Sequence, residues 1–538
     1  MMLLENPRHD RQRIFIQIVI HNFTAPSMKI LFVLTLSLIC SAICAQNQEK
    51  TPNIILILAD DLGYGDVSVY NEHAAFKTPH IDRLAEKGVA FTHAYTSSSV
   101  CTPTRYGILT GRYNWRSTLK KSVLSGYSKS LIPADRITLA DVLLTQGYYT
   151  GFIGKWHLGW DWQFKGDAEN INNLSSQPEV DFSKPIENGP EALGFKYSYG
   201  FSGSLDMPPY VYVENSLTTK IPVDTTVNYD EKGFWRKGIT APDLTHVDVL
   251  PHLTGKAVDY INERATADQP FFLYYALPAP HTPILPITEF VGKSNTNLYG
   301  DFVLQVDDVV GQITETLEQH GILDETIVIF TSDNGPSPRS DFDELARAGH
   351  DPTYIFRGHK ADIYEGGLRV PFLVSWPEAI PQSISPDEVV STVDFMSTFA
   401  ELSGYSMPDN AGEDSHSFLP VLRQESYEKP LREATVLHSI DGRFAIVKDK
   451  WKLILWPGSG GWSDPRTAEE LEGLPPFQLY NLEDDPSEQN NLVNQYPEMV
   501  EALKTLLEEY IVKGRSNSGT PQKNDGPQTW PQLEWVEN

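Results

Sequence analysis

The feature that most constrains this chain is a set of four strand-like runs, each emptying into residues that carry chemistry. Ile54-Ile55-Leu56-Ile57-Leu58 is apolar at every position, as expected of a strand buried on both faces, and it runs into Ala59-Asp60-Asp61. Tyr148-Tyr149-Thr150-Gly151-Phe152-Ile153 leads to Gly154-Lys155-Trp156-His157. Phe271-Phe272-Leu273-Tyr274-Tyr275 precedes Ala279-Pro280-His281, and Thr326-Ile327-Val328-Ile329-Phe330 ends in Thr331-Ser332-Asp333-Asn334. Helical spacing recurs between them, over 80–87, 138–146, Leu253 to Arg264 and 300–319, with Gly88 and Gly147 as stops. This alternation predicts an α/β fold, a large, mixed but mostly parallel sheet sandwiched by helices. In such sheets ligands gather beyond the carboxyl ends of strands, where the four motifs would meet.

Elsewhere the character changes. From 160 to 250 the Pro, Asn, Gly and aromatic residues read as long loops with a hairpin at most, rimming the site. Past 430, Arg443 to Val447 and Trp451 to Leu455 flank Lys448-Asp449-Lys450 as an antiparallel hairpin, and Gln478 to Leu482 is a short strand. Pro497 to Val512 is an amphipathic helix, and the remainder reads as a loose polar tail. The expected organisation is a large domain over 50–430 and a smaller C-terminal α+β domain over 431–538 carrying an antiparallel sheet.

The chain has three cysteines. Cys40 and Cys44 fall in the apolar stretch Ile30 to Ala45, behind Lys29 and ending in small residues. That is the layout of a secretory signal, too short to span a bilayer comfortably. The residues before Met28 are polar and Arg-rich, unlike an export signal, so Met28 is the expected start and 1–45 the removable segment. The protein is then expected to be exported, periplasmic or secreted, without stable membrane insertion. Cleavage near Ala45 leaves one cysteine, Cys101, and an exported chain usually pairs its cysteines or omits them. An unpaired thiol there is a liability unless it is chemically used. The formal charge is −28, and 1–45 holds four basic and two acidic residues, so its loss deepens the charge to −30. Such acidity argues against nucleic acid or an anionic membrane surface as partner. Any anionic substrate must be gripped by a local basic pocket.

Around Cys101, Ser97-Ser98-Ser99 offer a helix cap, Pro103 suits the first turn and Gly111 the stop. Arg105 lies four residues on, on the same helix face. A helix N-terminus and a guanidinium flanking one reactive side chain describe an anion site, although alone the stretch is equally a buried cysteine on a short helix. The run Cys101-Thr102-Pro103-Thr104-Arg105, followed by Tyr106-Gly107-Ile108-Leu109-Thr110-Gly111-Arg112, resembles the type I sulfatase signature Cys-x-Pro-x-Arg. The resemblance implies an alkaline phosphatase/sulfatase-like fold and a Cys101 oxidised to formylglycine before folding by a formylglycine-generating enzyme. Residue 101 would then work as an aldehyde hydrate.

Asp60-Asp61 and Asp333-Asn334 are pairs of hard oxygen ligands, and three carboxylates with an amide suit Ca²⁺ better than Zn²⁺. Either pair alone is ordinary turn chemistry. Both match the family's metal motifs, which implies one Ca²⁺ held by Asp60, Asp61, residue 101, Asp333 and Asn334. By the same resemblance Lys155 lies beside the formylglycine, His157 holds or deprotonates its hydrate, and His281 contacts the sulfate. Lys360 ahead of Glu365-Gly366-Gly367-Leu368-Arg369-Val370-Pro371 is similar to the family's Lys-x(4)-Glu-Gly-Gly-x-Arg-Val-Pro segment, with Arg369 read as structural. A looser likeness continues through Trp451 to Ile454 and Leu479 to Pro486.

The family mechanism has one hydrate hydroxyl, activated by Asp333 and the metal, attack sulfur while His281, helped by Lys360, protonates the departing alcohol. The second hydroxyl, deprotonated by His157, then expels sulfate. The implied function is a sulfuric ester hydrolase acting on a sulfated carbohydrate. The alternatives are a phosphodiesterase or phosphonate monoester hydrolase on the same scaffold, and a non-catalytic protein that binds sulfated glycans. Trp160, Trp162 and Trp235 either stack on sugar rings or pack internally.

Overall fold

Runs rich in Ile, Val, Phe and Tyr leave no polar face for solvent, and in the computed structural model they occupy the middle of one sheet. The structure describes residues 51–533 apart from 169, 170, 175, 381, 428, 429, 527, 528, 531 and 532. The expected leader 1–45, with the start at Met28 and with Cys40 and Cys44, lies outside the described residues. In chain order the strands are β1 (Asn53–Asp60), β2 (Gly88–Ala90), β3 (His93–Tyr95), β4 (Tyr149–Lys155), β5 (Tyr197–Phe201), β6 (Val213–Glu214) and β7 (Leu217–Thr218). Then come β8 (Asp224–Asn228), β9 (Trp235–Thr240), β10 (Phe271–Pro280), β11 (Thr326–Ser332), β12 (Phe372–Ser375) and β13 (Val389–Ser391). The last four are β14 (Thr435–His438), β15 (Phe444–Lys448), β16 (Trp451–Ile454) and β17 (Gln478–Asn481). The helices that matter here are α1 (Pro79–Glu86), α2 (Cys101–Thr110), α3 (Leu139–Thr145), α4 (Val249–Arg264), α5 (Leu298–Gln319), α6 (Phe395–Ser403) and α7 (Pro497–Lys513).

The main sheet has nine strands in the order β2-β12-β11-β1-β10-β4-β5-β6-β7. Its middle, from β11 to β5, is parallel, and antiparallel strands close both ends. In β1 alternate residues serve opposite cores. Ile54, Leu56 and Leu58 join Ile108 of α2, Leu143 of α3 and Phe399 of α6. Ile55, Ile57 and Ala59 join Leu84 of α1, Leu253 of α4 and Val306 of α5. The result is helix, sheet, helix. From Pro52 onward the chain forms one compact unit.

The four strands β14 to β17 form the expected antiparallel sheet. One face takes Leu503 and Leu507 of α7 against Ile446 and Leu453, and the other takes Tyr364 and Leu368 against Leu437 and Ile454. No helix among the described residues is long and apolar enough to cross a membrane.

Three expectations need correction. The 160–250 region is more than loops, because β5 to β7 extend the main sheet and β8 pairs with β9. The serines do not cap α2. Its cap position is Val100 with no side-chain bond, while the Ser99 N–H is spent on the His438 carbonyl and the Ser98 carbonyl accepts from Thr104. The described residues of the tail are not loose: Arg112 donates to Asp525 at 2.7 Å and to the Lys523 carbonyl at 2.6 Å, and Trp530 sits edge-on to Trp115.

Candidate active site

Strands β11, β1, β10 and β4 are parallel neighbours, so their carboxyl ends open on one spot. Each delivers polar groups there from a short exit, and those of β1 and β4 pass through left-handed backbone. Asp60 closes β1, and Asp61 follows at a φ of 64°, a left-handed turn unusual for a side chain with a Cβ. The Asp61 N–H then reaches Asp333 Oδ1 at 3.3 Å and the Leu62 N–H reaches Ser332 Oγ at 3.1 Å, tying the exit of β1 to that of β11. Gly154, at a φ of 118°, precedes Lys155 where a Cβ would lie 1.9 Å from the Ala276 carbonyl oxygen, so only glycine lets β4 lie that close to β10. Gly335 has a similar task. A Cβ there would sit 1.8 Å from the Gly366 carbonyl oxygen, while Cβ atoms on Gly366 and Gly367 would sit 2.3 Å from the Gly358 and 2.5 Å from the His359 carbonyl oxygens, so this segment packs only with glycine at all three positions.

One ligand atom each from Asp60, Asp61, Cys101 and His281 fall within 4.8 Å of one another. Asn334 Nδ2 donates to Asp61 Oδ1 at 2.8 Å. Three cations hold three carboxylates: Lys155 on Asp60 at 2.6 Å, Lys360 on Asp61 at 2.6 Å, and Arg105 on Asp333 through Nε at 3.0 Å and Nη2 at 2.8 Å. Eight of the ten residues singled out in the sequence are thus joined by hydrogen bonds or ion pairs, His281 through Nε2 3.7 Å from Asp61 Oδ2, and Cys101 lies among them within 4.8 Å. The tenth, His157, stands beside Lys155 and donates Nε2–H to the Leu124 carbonyl at 2.9 Å, which leaves Nδ1 without a partner.

Burial is the largest effect on Asp60, Asp333, Lys155, Lys360, His157, His281 and Cys101, and the neighbouring charges oppose or add to it. Burial alone would raise Asp60, but Lys155, with His281, Arg105 and Lys360 behind it, holds its carboxyl well below the usual range. Burial and the Asp60 charge push Asp333 up to about 7, against Arg105. Burial is the largest single effect on Lys360 and Lys155 and lowers both, but Asp61 with Cys101 and Asp60 together raise Lys360, and Asp60 with Cys101 and Asp333 together raise Lys155. Burial and Lys155 push His157 far down, and burial and Lys360 lower His281. The Cys101 thiol is pushed up to about 11, chiefly by burial. A resting thiol there is neutral and a poor nucleophile.

The cluster forms the floor of a cavity of about 410 Å³, where His281 and Lys360 meet open space. Its walls include Asp206, Phe234, Arg236, Arg339 and Trp462, none of which the sequence singled out. Ser204, also unforeseen, lies 3.2 Å from His281 Nδ1. Trp160 and Trp162 are core residues, edge-on to each other, and Trp235 stacks on His246 at 4.0 Å, so all three pack internally.

Residues 52–405 match the sulfatase family. The chain belongs to that family. Residues 358–513 further match the region described as N-sulphoglucosamine sulphohydrolase, C-terminal. An N-acetylgalactosamine-6-O-sulfatase of Bacteroides thetaiotaomicron is 36% identical over 500 residues, covering 86% of this chain and 93% of the relative. Human arylsulfatase A is 31% identical over 480 residues, 85% of this chain and 87% of the relative. A solved Bacteroides thetaiotaomicron structure, described with the metabolism of multiple glycosaminoglycans, superposes with a TM-score of 0.74 at 35% identity, covering 86% of this chain and 99% of that one. This sulfatase is therefore an enzyme, a hydrolase of sulfuric esters.

Proposed function

We propose that the sulfatase removes sulfate from a sulfated carbohydrate of the glycosaminoglycan type, using formylglycine formed from Cys101 and one Ca²⁺. The name of the relative, N-acetylgalactosamine-6-O-sulfatase, favours a 6-sulfated amino sugar. The observation that carries the reading is the meeting of Asp60, Asp61, Cys101 and His281 within 4.8 Å under an open cavity.

The residues present fit a hard cation. Asp60 Oδ1 and Asn334 Oδ1 are buried and accept no hydrogen bond, and three carboxylates crowd one spot. Asp60, Asp61, Asp333 and Asn334 would hold the ion, with residue 101 beside it. Once in place, a hydrated formylglycine supplies an oxygen nucleophile and the Ca²⁺ supplies positive charge. Cys101 is only 2% exposed, so conversion by a formylglycine-generating enzyme must precede folding.

The chain's own groups do the rest. Lys155, Lys360 and Arg105 fix the three carboxylates, and three positive charges balance three negative ones before any cation enters. A divalent ion therefore turns the site net positive, as an anionic ester requires. His281 gives Nδ1–H to the Thr282 carbonyl, so Nε2 is the free ring nitrogen, and only the imidazolium form, with its second proton on Nε2, can deliver a proton to the leaving oxygen. His157 is neutral with Nδ1 free, and that lone pair takes the proton released at residue 101. An exported location fits a chain whose one described cysteine is chemically used.

The test is protein matured with a formylglycine-generating enzyme, peptide mass spectrometry at residue 101, and turnover on defined sulfated oligosaccharides beside phosphate and phosphonate esters. The aldehyde and preferential sulfate release are expected. An unmodified thiol in active enzyme, or faster turnover of phosphorus esters, would overturn the reading.

A further inference from the structure

The cavity over His281 and Lys360 has walls that the reaction does not use. Arg339 is exposed at its rim, with its guanidinium carbon 5.4 Å from the centre of the Phe234 ring and Nη1 donating to the Glu231 carbonyl at 3.1 Å. No carboxylate among the described residues pairs with it. Arg236 shares the same ring at 5.5 Å but is ion-paired to Asp206, so its charge is cancelled. Trp462, 40% exposed, lines the same cavity. Its position is fixed from below, because the backbone N–H groups of Trp462 and Ser463 donate to Asp362 Oδ1 at 2.8 and 3.0 Å.

There is a gradient of depth. His281 and Lys360 are buried at the floor, where a sulfate ester must reach, whereas Arg339 and Trp462 are exposed. An open indole on a fixed backbone suits the apolar face of a pyranose ring. An unpaired guanidinium suits a carboxylate or sulfate through paired N–H donors, and it is unusual on a chain of charge −28. We infer that Arg339 and Trp462 form a subsite for the sugar adjoining the sulfated one, and that this neighbour carries its own anionic group, a uronate carboxylate or a second sulfate. The inference rests on the sulfated-carbohydrate reading above.

The test is calorimetric binding to the full-length Cys101→Ala chain of three probes. These are N-acetylgalactosamine 6-sulfate, a chondroitin 6-sulfate trisaccharide bearing it at the non-reducing end, and the carboxyl-reduced trisaccharide. Adding Arg339→Ala should weaken the native trisaccharide about tenfold and leave the monosaccharide unchanged. If carboxyl reduction erases the Arg339 effect, the group is the uronate of the adjoining sugar; if the effect persists, Arg339 answers to the sulfate on the third sugar and its assignment to the adjoining sugar is overturned. Trp462→Ala should weaken both trisaccharides about tenfold, with Trp462→Phe retaining most of the binding. In matured enzyme both alanine variants should hydrolyse 4-nitrocatechol sulfate at the parental rate. Variants that bind the trisaccharide like their parent, or that lose the aryl sulfate as well, overturn the subsite. A matured enzyme active on the aryl sulfate whose Cys101→Ala form binds no sulfated sugar overturns the carbohydrate reading, and the subsite with it.

Discussion

Two buried charge clusters in this sulfatase use the same kinds of side chain to different ends. At the strand ends, Asp60, Asp61 and Asp333 face Arg105, Lys155 and Lys360. Under the C-terminal sheet, Glu365 and Glu488 face Lys452 and Arg369. Both are charge-balanced, so balance does not tell them apart. Completeness does. Glu365 accepts from Tyr95 and Arg369 on one oxygen and from Lys452 on the other, and Glu488 accepts the Glu365 N–H on Oε2 and has Lys452 2.9 Å from Oε1. At the strand ends Asp60 Oδ1 makes no hydrogen bond, with Arg105 Nη2 3.9 Å away, and Asn334 Oδ1 makes none either. One cluster is closed around Lys452, whose ammonium lies 2.9 Å from Glu488 Oε1 even though that oxygen accepts no hydrogen bond, and the other leaves Asp60 Oδ1 and Asn334 Oδ1 over, near a cavity. Unsatisfied buried polar atoms are rare in folded proteins, and two of them beside three carboxylates and a cavity are what the proposed cation would satisfy.

The contrast predicts opposite phenotypes. Cys101→Ala should lower turnover of a small aryl sulfate by about 10⁴-fold or more while leaving the melting temperature near the parental value. Retained activity would break the assignment of the nucleophile. Asp60→Ala should come next. It removes a metal oxygen and strands the buried Lys155, so atomic emission should find less than one calcium per chain and turnover should fall with it. Chelation of the parent should abolish turnover reversibly, with calcium restoring it. Full calcium occupancy in the variant would count against the ligand set.

How far the sequence told these clusters apart follows from what each depends on. Parallel strands buried on both faces read as unbroken apolar runs, so Asp60, Lys155, His281 and Asp333 were legible as residues at strand ends, while their roles rested on the family resemblance. Strand β5 was not, because Tyr-Ser-Tyr-Gly-Phe is short and interrupted, and its place is set by backbone pairing with β4. The tryptophans show the same limit. Trp160 and Trp462 look alike in one dimension, and only tertiary contacts bury the first and leave the second in the cavity wall. The closed cluster joins Glu365 to Lys452 and Glu488, 87 and 123 positions away, distances over which no local pattern reports a pair.

That closed cluster supplies the smaller tests. Lys452→Met leaves Glu365 and Glu488 facing each other without their shared cation, which should cost about 3–5 kcal/mol in denaturant unfolding while the folded enzyme keeps its turnover within about twofold. A loss of turnover without a loss of stability would erase the distinction between the clusters.

Glu488→Gln sharpens the contrast further. Burial, with repulsion from Glu365 added and attraction to Lys452 opposed, raises Glu488 from 4.5 to about 7. Across that window the folded chain keeps a proton that the unfolded chain has released, so stability falls as pH rises through it. Glu365 acts elsewhere: burial is overcome by Lys452 and Arg369, which hold it down to about 2, and its contribution is lost only as pH falls below about 4.5. Glutamine keeps the shape and cannot ionise. The melting temperature of the variant relative to its parent should therefore climb between about pH 5 and about pH 8. A flat or falling difference would mean that Glu488 stays ionised throughout, and that the closed cluster carries its second negative charge at every working pH.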